Sequence, residues 1–561
     1  MRARDSRRSA SAAHPVSPAS EQPCGWPSGF RGLRRHRRRC RGGRAVRRSP
    51  LQPAGPQRSG YRRGGGVGGV WYHNRYPGAR VDVDSVDYCY HFSDELLEKW
   101  KWSERYAAQP ELLAYFEFVA ETFCLRDKFV FNTWVTGARW DSQEAVYHVQ
   151  TSTGGKYRSR YLIMTTGNLT VGREPQFKGL DRFQGQWVQA NRWPLEEVPV
   201  KGRRVAVIGT GSTGVQVIEA VAGQAEHLYV FQRTPHYAVP ARNRPMTAEE
   251  QREDLSAGEL REVFTSLPGG TRMPVPTRPL SDYTPEEQQE KLQAQWEFGG
   301  QAILFQFTDQ SRSRETSEVV SEFVRTKIRE RIPDPALREA LVPAYPLGVK
   351  RVALETAYFE TYLRDDVTLV NLKKEPFVEI TEKGITTEAG YYEVDLIIFA
   401  VGFVAFTAAL DSASIQNEAG ETPTQTWDRG PRTLLGLMTP GFPNLFVPTG
   451  PGSPSVIANL IVQNEFAIDW IADLIAYADH HRLKSVEPTA DAVNEWVADC
   501  AAVSENLLRR LIDNYMVKVN DDGSRVFIPY SGGFFRYVAG CRRIAEGGYQ
   551  ELTFLPSIAH P

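Results

Sequence analysis

The stretch Arg204–Arg233, RVAVIGTGSTGVQVIEAVAGQAEHLYVFQR, decides the fold. It opens on Val205-Ala206-Val207-Ile208, a short branched apolar run of the length expected for a strand buried in a parallel sheet. The run breaks at Gly209-Thr210-Gly211-Ser212-Thr213-Gly214, a complete G-x-G-x-x-G. The pattern then predicts an amphipathic helix from about Val215 to Ala222 and a second strand from His227 to Phe231. Strand, glycine loop, helix and strand within about 30 residues form the βαβ context in which the fingerprint has meaning.

Each glycine has a task. Gly209 allows the tight turn, Gly211 lets backbone approach a pyrophosphate, and Gly214 lets the helix lie close on the strand. The helix N-terminus offers free N–H groups and a positive dipole end to the phosphates. After the second strand, an NAD site places an acidic residue for the ribose hydroxyl, whereas this chain has Gln232-Arg233. A cation there suits a 2′-phosphate, so the stretch reads as an NADPH site. The competing reading, a glycine-rich turn without ligand, is weakened by the ordered strand, helix and second strand around it.

At 561 residues the chain can hold two or three domains with full cores. No run of eighteen apolar residues exists, so no membrane span is expected. The formal charge of zero hides two unlike parts. Residues 1–65 carry seventeen Arg against Asp5 and Glu21, a net +15, and the remainder carries −15. The body is therefore acidic and offers no basic surface for nucleic acid. Cys24, Cys40, Cys89, Cys124, Cys500 and Cys541 show neither C-x-x-C nor a disulfide framework, which reads as reduced thiols in a cytoplasmic protein. The N-terminus lacks the apolar core of a secretory signal. Residues 1–65 are rich in Arg, Pro, Gly, Ser and Ala with almost no aliphatic run, a composition expected to stay disordered.

From Gly69 to Asp82 the chain reads GVWYHNRYPGARVD. It fits G-x-W-x-x-x-x-[FY]-P-G-x-x-x-D on Gly69, Trp71, Tyr76, Pro77, Gly78 and Asp82, with Asn74 and Arg75 inside the pattern. A second pattern, F-x-G-x-x-x-H-x-x-x-W-[PD], matches Phe183, Gly185, Trp193 and Pro194 but has Gln189 at the His position. On these motifs the chain resembles the Baeyer–Villiger monooxygenases, FAD- and NADPH-dependent enzymes that insert oxygen beside a ketone carbonyl. The resemblance covers nearly everything after Gly66. It implies an α/β fold with two nucleotide-binding Rossmann-like domains, for FAD and NADPH, and a helical insertion. The implied division is 66–175 and 376–561 for FAD with C-terminal helices, 176–245 and 340–375 for NADPH, and 246–339 for the insertion.

The family places an FAD-binding strand, glycine loop and helix just before Gly69, and this first βαβ is missing or scrambled here. With arginines as CGN codons, reading Arg35–Val46 one nucleotide later allows Ile-Val-Val-Gly-Ala-Gly-x-x-Gly-Leu-Tyr, the missing strand and loop. Residues 1–65 are therefore read as a basic, disordered or out-of-frame segment.

The resemblance also assigns later residues. Lys350 would join Arg233 on the NADPH 2′-phosphate, and Arg351 would lie over the flavin, oriented by Asp82. Read without the family, Lys350-Arg351 is ordinary solvated charge. Thr165-Thr166-Gly167 and Ala400-Val401-Gly402 resemble the family's A-T-G strand ends, which adds Thr166, Gly167 and Gly402 to the cofactor-binding residues, although a tight turn explains the first equally well. Asn444–Pro454 resembles a segment touching FAD. Where the family has a Trp-Tyr loop, this chain has Asn514-Tyr515. Helices are expected at Glu111–Thr122, after Thr284, at about Glu355–Tyr362 and at Glu465–Tyr477, and strands at Phe129–Phe131, Ala145–Thr151 and Ser159–Ile163.

The implied chemistry is hydride transfer from NADPH to FAD, addition of O2 to the reduced flavin as a peroxide anion, and attack on a ketone to give ester or lactone. Arg351 suits the anion because a guanidinium stays charged and offers a planar fork of donors. No metal is implied. The expected partners are a small-molecule ketone and O2, with no nucleic acid and no membrane, in a monomer or homo-oligomer. Two other readings stay open: a flavin monooxygenase acting on nitrogen or sulfur, and an NADPH-binding protein without flavin.

Overall fold

The computed structural model describes residues 65–556. The basic segment and the shifted-frame glycine loop lie outside the described residues. Five strands form the sheet announced by the glycine stretch: β1 (Gln186–Gln189), β2 (Arg204–Ile208), β3 (His227–Gln232), β4 (Val367–Asn371) and β5 (Leu396–Phe399). Their spatial order is β4-β3-β2-β5-β1, with every neighbouring pair parallel. The chain leaves β2 towards β3 on one side while β5 joins on the other, so the carboxyl end of β2 opens on a switch in strand order, where α/β sheets bind ligands.

Helix α1 (Ser212–Val221) begins three residues earlier than the apolar pattern predicts, because Ser212, Thr213 and Gly214 already form its first turn. It buries Val215, Val217, Ile218 and Val221. Each such side chain contributes about 1.5–3 kcal/mol.

A four-stranded sheet joins Val135–Asp141, Val146–Thr151 and Lys156–Ser159 to Ile415–Gln416, and Leu162–Ile163 pairs in parallel with Leu445–Phe446. Segments far apart in sequence thus share sheets. One boundary differs: β5 falls within 376–561 yet pairs with β2 and β1. Its four residues are all buried, as a central parallel strand demands, so the NADPH-side sheet reaches Phe399.

The insertion is helical, with Ala257–Ser266, Pro285–Phe298, Arg314–Arg331 and Pro335–Leu341. Thr284 caps the second of these by a reciprocal box with Glu287. The expected Glu111–Thr122 and Glu465–Tyr477 helices run from Gln109 to Thr122 and from Leu460 to His480. Phe129–Phe131 is not a strand; Phe129 and Val130 are exposed, and Phe129 stacks on Phe131 with ring centres 5.3 Å apart. The expected Glu355–Tyr362 helix is reduced to one turn, Tyr358–Thr361, because Ala353–Glu355 pairs with Ala238–Pro240 in a parallel ladder. Glu355 is held there by Arg331 at 2.6 and 3.0 Å. Cys89, Cys500 and Cys541 are free, whereas Cys124 is disulfide-bonded, a departure from the reading of reduced thiols throughout. No helix among the described residues is long and apolar enough to cross a membrane.

Candidate active site

The phosphate end is built on close backbone contact. A Cβ on Gly209, whose φ is +108°, would lie 2.5 Å from the Ala400 carbonyl oxygen, and one on Gly214 would lie 2.1 Å from that of Gly209. At Gly211 a Cβ would meet nothing within 4 Å, so this glycine faces open space. Gly211 is the N-cap of α1, and no side chain caps the first-turn N–H groups of Ser212, Thr213 and Gly214. That is the cradle a pyrophosphate fills. Thr210 is buried, and its hydroxyl donates to the Thr234 carbonyl at 3.1 Å, bracing the loop after β3. Arg233 stands exposed at the end of β3, and the Lys350 ammonium lies 4.9 Å from the Tyr345 ring centre. The Lys350 ammonium sits below its ordinary pKa, first because it is desolvated and then because Arg233 and Lys373 are near. Three cations thus converge with none of them in an ion pair among the described residues, a fit for the 2′-phosphate of NADPH.

The Gly69–Asp82 segment docks on α1. Gly69 precedes one helical turn, Val70–His73, which Asn74 closes by donating its N–H to Val70 O at 2.8 Å. Trp71 donates to the Tyr88 hydroxyl at 3.0 Å, and Arg75 donates from Nε to Tyr72 O at 2.9 Å. Tyr76 donates to Gln216 Oε1 at 2.8 Å, and Gln216 donates to Arg80 O at 3.1 Å. Pro77 leads into Gly78, whose φ is +81° and whose Cβ would lie 2.4 Å from Gln216 O. The segment can touch the α1 backbone only with glycine there.

Four residues further on, Asp82 meets Arg351. Arg351 donates from Nε to Oδ2 at 2.6 Å and from Nη2 to Oδ1 at 2.7 Å, a two-pronged pair, and from Nη1 to Val456 O at 2.9 Å. Gln301 donates to Asp82 Oδ2 at 2.9 Å and to Val352 O at 3.2 Å. Burial alone would raise the Asp82 pKa; the Arg351 charge and these hydrogen bonds outweigh it and hold the carboxyl below its usual value. Burial alone would lower Arg351, and Asp82 reverses that too. Desolvation leads for both, yet their side chains keep 34% and 25% of their surface open. The pair is thus desolvated yet partly open, a setting that suits a flavin beside Arg351.

His236 supports this pair from behind. Its Nε2 donates to Arg351 O at 2.7 Å, and burial pushes its pKa down to about 4, with the Lys350 charge adding to the fall. The ring is therefore neutral at neutral pH. Thr166 and Gly167 lie in the turn after Leu162–Ile163, and Gly402 follows β5, next to the Gly209 loop. Cβ atoms on Gly402 would meet nothing within 4 Å. Gln189 ends β1, buried, and donates to Arg173 O at 3.2 Å. Sequence reading missed Gln301, Val456 and His236. Only Gln301 had a local signal, the Gly299-Gly300 pair at φ +77° and +84° that turns the chain into the site.

Comparison with known proteins agrees with this geometry. Residues 64–257 match the family model described as pyridine nucleotide-disulphide oxidoreductase. A Baeyer–Villiger monooxygenase of Pseudooceanicola batsensis is 35% identical over 504 residues, 88% of this chain and 91% of that protein. Among solved structures, an oxidized steroid monooxygenase bound to NADP has a TM-score of 0.84 and 41% identity, covering 88% of this chain and 94% of its own. The structure described as OTEMO in complex with FAD and NADP also has a TM-score of 0.84, at 34% identity, covering 88% and 93%. Together with the paired Asp82 and Arg351, these findings show that the chain belongs to the Baeyer–Villiger monooxygenase family, flavoprotein enzymes that use FAD and NADPH.

Proposed function

We propose that the chain inserts one oxygen atom of O2 beside the carbonyl of a small ketone, giving an ester or lactone, with Arg351 and Asp82 at the reacting centre. The observation that carries this reading is the two-pronged Asp82–Arg351 pair, desolvated yet partly open. FAD, when bound, supplies the oxygen chemistry, and NADPH supplies the electrons. Gly209, Gly211 and Gly214, with the start of α1, hold the NADPH pyrophosphate, while Arg233 and Lys350 hold its 2′-phosphate. Of the five N–H donors of Arg351, three are committed to Asp82 and Val456. Of the other two, with Tyr515 within reach of the guanidinium, at least one is left for an oxygen anion, whose charge a fixed guanidinium stabilises without reorganising. Asp82 fixes the plane of that fork, and Gln301 fixes Asp82. Gly69, Trp71, Asn74, Arg75, Tyr76 and Pro77 shape the flavin side, with Thr166, Gly167 and Gly402 at the strand ends. The same reading assigns 66–175 and the chain beyond Phe399 to FAD, and 246–339 to the insertion. The demand for NADPH supports a cytoplasmic setting, with three thiols among the described residues free beside the disulfide at Cys124, as a monomer or homo-oligomer.

The test is product identification with NADPH, O2 and a panel of cyclic ketones, with a thioether beside them. Arg351→Ala is expected to keep NADPH-driven bleaching of the flavin while ester formation falls by about two to three decades. Ester formed at the unaltered rate by that variant would remove Arg351 from the chemistry.

A further inference from the structure

The loop that departs from the family at Asn514-Tyr515 carries a cation whose role the mechanism leaves open. Leu508–Leu511 form one 3-10 turn, and Asn514 ties the loop back by donating to Arg509 O and Ile512 O, both at 2.8 Å. Asn514 therefore serves the loop's own backbone. Arg510 is used as well, donating to Arg525 O at 3.1 Å, and Arg525 pairs with Asp513. The Arg509 side chain has no hydrogen bond or ion pair among the described residues. It is half-buried, two residues past Leu507 of an apolar cluster that also holds Phe406, Val456, Met516 and Phe527, and it stands within electrostatic reach of Arg351 and Tyr515. Tyr515 stacks on Phe406 with ring centres 6.4 Å apart.

An uncompensated cation in a desolvated place is costly unless an anion joins it. The neighbouring carboxylates are taken, Asp82 by Arg351 and Asp513 by Arg525. Arg351 with Asp82 sums to zero, so Arg509 leaves the centre one positive charge in excess. The cofactor's phosphates have their own partners in Arg233, Lys350, Lys373 and the start of α1. Arg509 instead belongs with Arg351 and Tyr515, where the ketone must sit.

We propose that Arg509 is a specificity-determining residue that binds a carboxylate carried by the substrate, so that the preferred substrate is a keto acid rather than a neutral ketone. This rests on the oxygen-insertion reading above. The planar guanidinium fork matches a carboxylate with two parallel hydrogen bonds. Desolvation by the surrounding apolar side chains strengthens them and penalises a ketone that leaves the charge unpaired.

The experiment has a binding arm and a turnover arm, both on the full-length protein. Calorimetry compares cyclohexanecarboxylate with its neutral carboxamide. Turnover compares kcat/KM for oxocyclohexanecarboxylate and its methyl ester. The expected preference for the acid is about ten- to a hundredfold in both arms. It should vanish in Arg509→Leu, persist in part in Arg509→Lys, and stand unaltered in Arg510→Leu. An acid-to-ester ratio unaltered in Arg509→Leu overturns the inference. So does a variant whose only change is slower NADPH-driven flavin reduction measured without ketone, since Arg509 would then serve a cofactor. If neither ketone is oxidised by any form, oxygen insertion fails, and the carboxylate-to-carboxamide binding ratio still decides the role of Arg509.

Discussion

Asp82 and Arg351 stand 269 positions apart, and each favours the other's charged form against the burial that opposes it. The two were legible in the sequence through the family's motifs alone; nothing in local composition distinguishes Lys350-Arg351 from solvated charge. Gln301, Val456 and His236 were not legible, because a carbonyl acceptor or a lone Gln acquires meaning only from where the chain brings it. The pair has a pH consequence. A carboxylate depressed in the folded state contributes stability that is complete above its unfolded pKa of about 3.9 and is lost as pH falls through the folded value. Removing it strands the Arg351 charge, at a cost of about 1–3 kcal/mol once the open part of both side chains is discounted. Asp82→Asn should therefore lower Tm by the same amount from pH 5 to 8, and the gap to the parent should close only in strong acid. His236, depressed from 6.5 to about 4, sheds stability as pH falls below 6.5, but does so in both proteins and cancels in the difference. A gap that changes between pH 5 and 8 would place the Asp82 titration in the neutral range and contradict the pairing.

Helix α1 is the element on which both halves of the site converge. The glycine fingerprint made its position readable, since Gly209 and Gly214 answer to close backbone contacts and Gly211 leaves the space before the helix start open. Its start was read late because Ser212, Thr213 and Gly214 carry no apolar periodicity. The one-turn Tyr358–Thr361 helix shows the converse, a helical pattern overridden by a ladder whose partner strand lies over a hundred residues away. The Tyr76–Gly78 contact on α1 was invisible as a contact, although the motif named its residues. It can be isolated by comparing two glycines with positive φ. Gly78→Ala drives a Cβ to within 2.4 Å of Gln216 O, whereas Gly69→Ala, at φ +52°, meets nothing within 4 Å. Both substitutions store backbone strain of about 1–3 kcal/mol. Only Gly78→Ala must also move α1, so it is expected to lower Tm further and to weaken NADP+ binding in a thermal-shift titration. Equal losses for the two would show that the contact adds nothing beyond backbone strain.

At the scale of the molecule, the site draws on positions 82, 301, 351, 456 and 515, and no periodicity in a linear sequence announces such a meeting. The sequence did carry β2, β3 and the Val146–Thr151 strand, through strand-length runs, and the acidic body, through the charge split behind a net of zero; β1, β4 and Val135–Asp141 went unread. What holds the distant parts together is polar and buried. Asn459 donates to Asp87 O at 2.6 Å, Asp87 pairs with Arg272 at 2.8 Å, and His91 N–H donates to Glu465 Oε1 at 2.7 Å. Glu465 lies on Leu460–His480, the helix that follows the Val456 turn, so its bond to His91 steadies the carbonyl on which Arg351 leans. The His91 and Glu465 side chains are nearly inaccessible, at 1% and 4%, and water cannot replace what is lost. Glu465→Leu leaves a buried N–H unpaired and should cost about 1–3 kcal/mol in urea unfolding. Glu465→Gln keeps an acceptor and should recover most of that. If the two variants unfold at the same urea concentration, the hydrogen bond contributes nothing and apolar packing alone joins these parts.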